Sequence, residues 1–288
     1  MTAMNDIFSF KRFGRTLRHD IIGTANRAGL SMLLTPAIVL LAVALVMQLY
    51  DLIFMYRFGE EIPVYPVARF VILCITHIIL MLFMATSSFG HLTDRRNNIT
   101  QLMLPASTLE KFLSITIIYY IFTPIVIFLA GWAGDTLIAL TGLGGFTGYM
   151  NPADMAHSID KFYGEVFVPG MASVLNHALW SWIAGYFMVA AFVLLCAILF
   201  KSYKVLKTIA VYLGLSLVLG NLQTIFFGKK VLFLMEGIET QSAEQAEYIP
   251  MQIFDTADKL LQYGLIFSIV AFIALSIAIY YRLRTVKS

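Results

Sequence analysis

The sequence predicts an all-α fold, a single membrane domain over residues 1–288 with six transmembrane helices. Three observations carry that expectation. Long apolar runs recur at about 31–50, 67–88, 112–134, 174–200, 203–227 and 260–281. Each is long enough to cross a hydrocarbon layer about 30 Å thick, which takes roughly 20 helical residues. Of all residues 59% are hydrophobic and 13% charged, whereas a soluble chain carries about a quarter charged residues. The charges are also sorted by side. Fourteen of the 20 Lys and Arg, with only four of the 17 acids, fall before the first run, between the second and third, between the fourth and fifth, and after the sixth. An excess of Lys and Arg marks the cytoplasmic side. Both termini are therefore expected in the cytoplasm, which six crossings also require. The same asymmetry accounts for the net charge of +3, so no nucleic-acid partner is expected.

Ahead of the first run, Ile7, Phe10, Phe13, Leu17 and Ile21 recur at three- and four-residue spacing, and Lys11, Arg12, Arg15 and Arg18 fill much of the remaining circumference. This predicts an amphipathic helix over 7–21 in the interface plane, its apolar face in lipid and its basic face toward anionic headgroups. It reads equally as an anchor or as an elbow passing motion from a cytoplasmic partner to the first span. Gly23 and Gly29 leave the chain room to turn before the bilayer. No short apolar region with a small-residue cleavage site precedes 31–50, so no cleaved leader is expected.

In the first span Pro36 sits near the cytoplasmic start, where a missing amide hydrogen is tolerated, and Asp51 falls at the far interface. The second span carries His77 near its middle. A histidine in hydrocarbon either pairs with a neighbouring helix or lines a polar path; residue type alone leaves both open, and His77 is a candidate intramembrane polar site.

The cytoplasmic segment 90–111 is the most specific local feature. Ile99, Leu102, Met103 and Leu104 form a small apolar patch beside Arg95, Arg96 and several amides, and Pro105 ends that element. Ser107 and Glu110 then stand at capping-box spacing, so a new helix starts there and runs into the third span. A short element braced on a capped transmembrane helix can pass a push into the membrane, or can serve as an inert connector. These residues, Arg95, Arg96, Ile99, Leu102, Met103, Leu104, Ser107 and Glu110, are the candidate partner-coupling site.

Pro124 near the centre of the third span predicts a kink, and Trp132 sits at the depth favoured by aromatic rings. The outer segment 141–173 is glycine-rich, and its His157, Asp154 and Asp160 have no metal-site motif behind them. The fourth span begins with Asn176, His177, Trp180 and Trp182. The fifth follows almost at once, predicting a close antiparallel hairpin, with Gly214, Ser216 and Gly220 as small faces for helix approach. The outer segment 228–259 is acidic, and its first part is apolar but too short to cross; it is either re-entrant or lies on headgroups. Cys74 and Cys196 fall inside spans as small hydrophobes.

No phosphate-binding GxxxxGK[ST], HExxH, GxSxG or CxxC pattern occurs. GLGGFTG follows no strand and lacks the later acidic partner of a dinucleotide site. No catalytic, cofactor-binding or metal-ligating residue is expected, and any ATP hydrolysis belongs to a separate chain.

The order of elements, with LMLPASTLEKFLS at 102–114, resembles the membrane subunits of type-2 ABC transporters, especially permease-like proteins of the Bacteroidetes. The match is most specific over Leu104–Phe112, an LPAS-x-x-EKF segment at the entrance to the third span. The resemblance implies an amphipathic N-terminal helix, a coupling helix at about 94–104 and re-entrant outer helices at about 229–258. It further implies a bacterial inner-membrane permease, the membrane half of an exporter, that pairs with a copy of itself or a related permease and docks a cytoplasmic ABC ATPase subunit. It assigns no substrate. The alternative is a non-transporting membrane scaffold or sensor subunit that docks a cytoplasmic protein through the same elements.

Overall fold

Apolar runs of this length fold as helices because hydrocarbon offers no partner to a backbone N–H or C=O, and a helix satisfies both internally. A computed structural model describes residues 8–58, 64–90, 106–146, 148–151, 171–223 and 249–286. Among the described residues helix dominates and no strand forms; one isolated parallel bridge joins Val64 and Phe146. Five helices are long and apolar enough to cross a membrane: Phe10–Ile53, Pro66–Phe89, Thr108–Thr141, Asn176–Leu199 and Asp255–Thr285. The expected run at 203–227 is a 20-residue helix over Lys204–Gln223, outside that group of five. The chain divides into two compact units, Met1–Val166 and Phe167–Ser288.

Among its described residues the first unit consists of three helical rods and a glycine-rich strap at 142–146. The first rod is α1 (Phe10–Thr24), a π turn (Ala25–Gly29) and α2 (Leu30–Phe58). Gly23 and Gly29 do not break it, and the helix widens by one π turn at Ala25–Gly29. At 1.5 Å per residue the 44 residues Phe10–Ile53 are about 66 Å long, twice the hydrocarbon thickness, and their apolar part begins only after the basic α1. The second rod is α3 (Pro66–Met84) with a terminal π turn (Ala85–Phe89). Pro66 opens α3 at a position where its missing N–H has no partner to lose. The third rod is α4 (Thr108–Ile117), a π turn (Ile118–Phe122) and α5 (Thr123–Thr141). Pro124 cannot donate to the Tyr120 carbonyl, so the kink expected there takes the form of this π turn, in which Thr123 Oγ1 donates to Ile118 O at 2.9 Å.

Small residues set the spacing of these rods. A Cβ on Gly134 would sit 2.8 Å from Ala37 Cβ, and one on Gly131 would strike the Leu73 side chain. Removing those methyls lets α5 approach α2 and α3 closely, where dispersion rather than water release holds apolar helices together. Leu40, Ala44, Val64, Ile138 and Phe146 form a buried cluster between the middle of α2, the chain entering α3 and the last turn of α5.

In the second unit, α6 (Met171–Leu199) and α8 (Ile249–Val286) run parallel, with His177 beside Asp258, Ser181 beside Gly264 and Phe187 beside Phe272. The link from α6 to α7 (Lys204–Gln223) is four residues, closed by Tyr203 at φ 50°, and Phe192 meets Tyr212 across it at 6.1 Å. That is the close hairpin the sequence predicts. Gly214, expected to seat a neighbouring helix, faces open space: a Cβ there would meet nothing within 4 Å.

Candidate functional site

Two polar junctions stand at opposite ends of the first unit, on the same rod. Glu110 and Asp135 are separated by about 37 Å along its axis.

The first junction begins with local chemistry. Ser107 is extended (φ −68°, ψ 160°) and caps α4. Its hydroxyl accepts from Glu110 N at 3.2 Å, and Glu110 Oε2 accepts from Ser107 N at 2.8 Å. This is the predicted capping box. The other carboxylate oxygen, Oε1, accepts from the backbone N–H of Ser9 at 2.8 Å and from Arg12 Nη2 at 3.1 Å. Glu110 is fully buried. One turn further, Ser114 Oγ donates to Asp20 Oδ2 at 2.6 Å. The face of α1 that is buried is therefore polar, with Thr16, Asp20 and Thr24 at four-residue spacing, while Phe10 on the predicted apolar face is 83% exposed. Lys11, Arg15 and Arg18 remain exposed.

Beyond this seam the three π turns connect. Arg27 Nη1 donates to Ser88 O at 3.1 Å, joining the turns of the first two rods. Tyr119, in the third turn, donates its hydroxyl to Met81 O at 3.1 Å and meets Phe89 edge-on at 6.0 Å. π turns expose carbonyls from their normal i−4 donors and recur at functional places in helices.

The second junction centres on Arg69 of α3 and Asp135 of α5, both without solvent exposure and 3.3 Å apart. Arg69 Nη2 donates to Gly148 O at 2.8 Å, and its guanidinium lies 4.6 Å over the Phe146 ring. Sequence reasoning missed this pair. The signal was present: an Arg three residues into one apolar run and an Asp at the edge of the next are costly in lipid unless they meet.

His77 is 2% exposed and stacks on Phe128, centroids 4.6 Å apart and planes at 28°. It is not brought to either junction. Of the predicted coupling residues, Ser107 and Glu110 meet at the first junction; Arg95, Arg96, Ile99, Leu102, Met103 and Leu104 lie outside the described residues, as do His157, Asp154 and Asp160. Cys74 and Cys196 are free thiols. In the second unit His177 Nδ1 lies 2.7 Å from Asp258 Oδ1, whose other oxygen accepts from Gln262 at 2.9 Å.

No protein-family model, curated protein or solved structure matches this chain. The functional reading therefore rests on the junctions. The first is a mechanical joint in which one buried carboxylate ties together the start of α1, its Arg12, and the cap of α4.

Proposed function

We propose that this chain is the membrane permease subunit of an ATP-driven, type-2 ABC transporter, an exporter coupled to a separate cytoplasmic ATPase. Lys204–Gln223 supplies the sixth crossing, both termini face the cytoplasm, and α1 is the amphipathic helix at that face of a bacterial inner membrane. Two permease chains, identical or related, form the path.

One observation carries the reading. Glu110 closes the capping box that receives the chain from segment 90–105 and, with its other oxygen, holds Ser9 and Arg12 of the N-terminal helix. A displacement delivered to that segment by a docked ATPase moves α4 and α1 as one piece. Both are continuous with membrane-length helices, and the Arg27–Ser88 contact links the same movement to α3.

The test is recovery of the partner. The full chain, extracted gently from its native membrane, should bring down a cytoplasmic ATPase with a phosphate-binding lysine loop, and Leu102→Asp with Leu104→Asp should release it. Recovery of no ATPase overturns the reading, as does labelling of cysteines in 90–111 only from outside intact cells. An ATPase that binds and hydrolyses ATP without any ATP-dependent movement of material across vesicles would establish the scaffold alternative instead.

A further inference from the structure

In the second unit an apolar groove and a polar cluster stand end to end between α6 and α8. The two helices approach closely at small residues: a Cβ on Gly264 would lie 3.4 Å from Ser181 Oγ. About two turns further on, Phe187 and Phe272 meet edge-on with centroids 5.9 Å apart. Between those contacts stands Ala184, too short to fill the space, and a groove of about 230 Å³ remains. Trp180, Ala184 and Phe187 line it from α6, and Leu265, Ile269 and Phe272 from α8. It follows the helices for about 10 Å, from Trp180 to Phe187. On the same seam, one turn before the groove, three polar side chains converge. Asp258 Oδ1 lies 2.7 Å from His177 Nδ1, and Oδ2 accepts from Gln262 Nε2 at 2.9 Å. The apolar spans of both helices begin at this level, at Asn176 and Asp255. The cluster therefore stands where lipid headgroups lie, and the groove runs from it into hydrocarbon.

The chemistry of the cluster is one-sided. A carboxylate oxygen only accepts, so His177 Nδ1 carries the hydrogen and the neutral ring presents a lone pair at Nε2. Gln262 gives an amide hydrogen to Asp258, and its own carbonyl oxygen is a further acceptor. Lys259, the next residue of α8, is bound to Asp255 at 2.8 Å. The cluster is thus rich in acceptors and carries the negative charge of Asp258, and both Asp258 and His177 keep partial exposure. It suits a cation with N–H donors and disfavours a bare phosphate or carboxylate. An apolar cleft with a few placed polar groups is the general form of a small-ligand site. An occupant that satisfies both parts has an ammonium head and a hydrocarbon chain. We propose that the groove binds an acyl chain of a lipid whose head carries a primary ammonium, with the chain beside Trp180 and Phe272 and the ammonium at Asp258, His177 and Gln262. The site rests on the placement of α6 and α8 in a membrane, not on the ATP-driven reading.

The test uses Trp180 as the reporter, in the full chain with the exposed Trp132 and Trp182 changed to Phe. Vesicles of phosphatidylcholine receive increasing fractions of phosphatidylethanolamine brominated on its chains, or of phosphatidylcholine brominated in the same way. Bromine quenches tryptophan only at short range, and the two heads carry the same charges, but choline has no N–H to donate. Half-maximal quenching should come at about a tenth of the mole fraction with the ethanolamine lipid, the worth of one hydrogen bond to a charged group. Asp258→Asn should erase that difference, and so should Ala184→Phe, which fills the groove. Equal quenching by the two lipids overturns the proposal, as does a preference that survives both variants. Trp180 quenched by neither lipid overturns it too, and would put protein rather than lipid on the groove. If the variants fail to fold, competition in the native groove decides. Dodecylamine should relieve quenching by the brominated ethanolamine lipid and dodecanol should not; relief by neither, or equally by both, overturns the site.

Discussion

Glu110 accepts a 2.8 Å hydrogen bond from the backbone N–H of Ser9, across 101 residues of chain, with the same oxygen that binds Arg12. A capping carboxylate ordinarily serves its own helix. Here one oxygen does that and the other binds a second helix, so the entrance to α4 and the start of α1 share one fastening. Because the carboxylate is fully buried, its loss leaves donors that water reaches poorly.

That arrangement predicts a graded response. Glu110→Ala should lower unfolding stability by about 2–3 kcal/mol, the order for buried hydrogen bonds to a charged group. Glu110→Gln should cost less, since an amide oxygen still accepts from one donor set. Ser107→Ala should cost about 1 kcal/mol, the value of an N-cap alone. Thermal unfolding of the purified chain measures all three. Equal losses for Ser107→Ala and Glu110→Ala would mean that the contacts to Ser9 and Arg12 add nothing.

How far the sequence reveals this depends on separation along the chain. Ser107 and Glu110 are three residues apart, so their box is visible in the letters, and the apolar runs are visible because bilayer thickness sets their length. Glu110's second partner is not visible, since nothing local in Ser9 or Arg12 points to a residue about a hundred positions on. The buried stripe Thr16–Asp20–Thr24 has helical spacing, but it runs alongside the stronger apolar pattern of Phe10, Phe13 and Leu17, which draws attention away from it. Arg69 and Asp135 read as ordinary charges at span margins until the fold brings them to 3.3 Å. Pro124 announces a disturbance, but its missing N–H does not say whether the helix answers with a bend or, as here, with a π turn.

The glycines of the strap separate conformational strain from close packing. Gly142 has φ 66° and nothing within 4 Å of a Cβ, whereas Gly144 has φ 64° and lies against the Ala44 carbonyl. Gly142→Ala should cost about 1 kcal/mol, for the left-handed backbone alone. Gly144→Ala should cost clearly more, because neither it nor the α2 backbone can move aside. Unfolding midpoints of the two variants rank them, and equal losses would place the strap away from α2.

Tyr203 offers a prediction of the opposite sign. It closes the α6–α7 link at φ 50°, the one left-handed non-glycine among the described residues, and its side chain is 78% exposed. Little packing is lost on truncation. Tyr203→Gly relieves roughly 1 kcal/mol of backbone strain, partly offset by the greater freedom of glycine in the unfolded chain. The unfolding midpoint should rise slightly. A fall would show that the tyrosine ring holds the hairpin through a contact of its own.

His77 separates a packing role from a proton-carrying one. Its ring lies flat on Phe128 and is nearly inaccessible, and Phe70 stacks on the same Phe128 at 6.3 Å, so the three rings form one aromatic column between α3 and α5. Phenylalanine keeps an aromatic ring against Phe128 and gives up the ring nitrogens and what they bind. His77→Ala leaves a gap in the column and should cost about 3 kcal/mol, the order for truncating a buried aromatic ring. His77→Phe should recover most of that loss. If the permease is driven by ATP, His77→Phe should also keep ATP-dependent transport in vesicles. Transport driven by a pH gradient without ATP, and abolished equally by His77→Phe and His77→Ala, would instead make the imidazole a proton carrier and replace the ATP-driven reading with a secondary transporter.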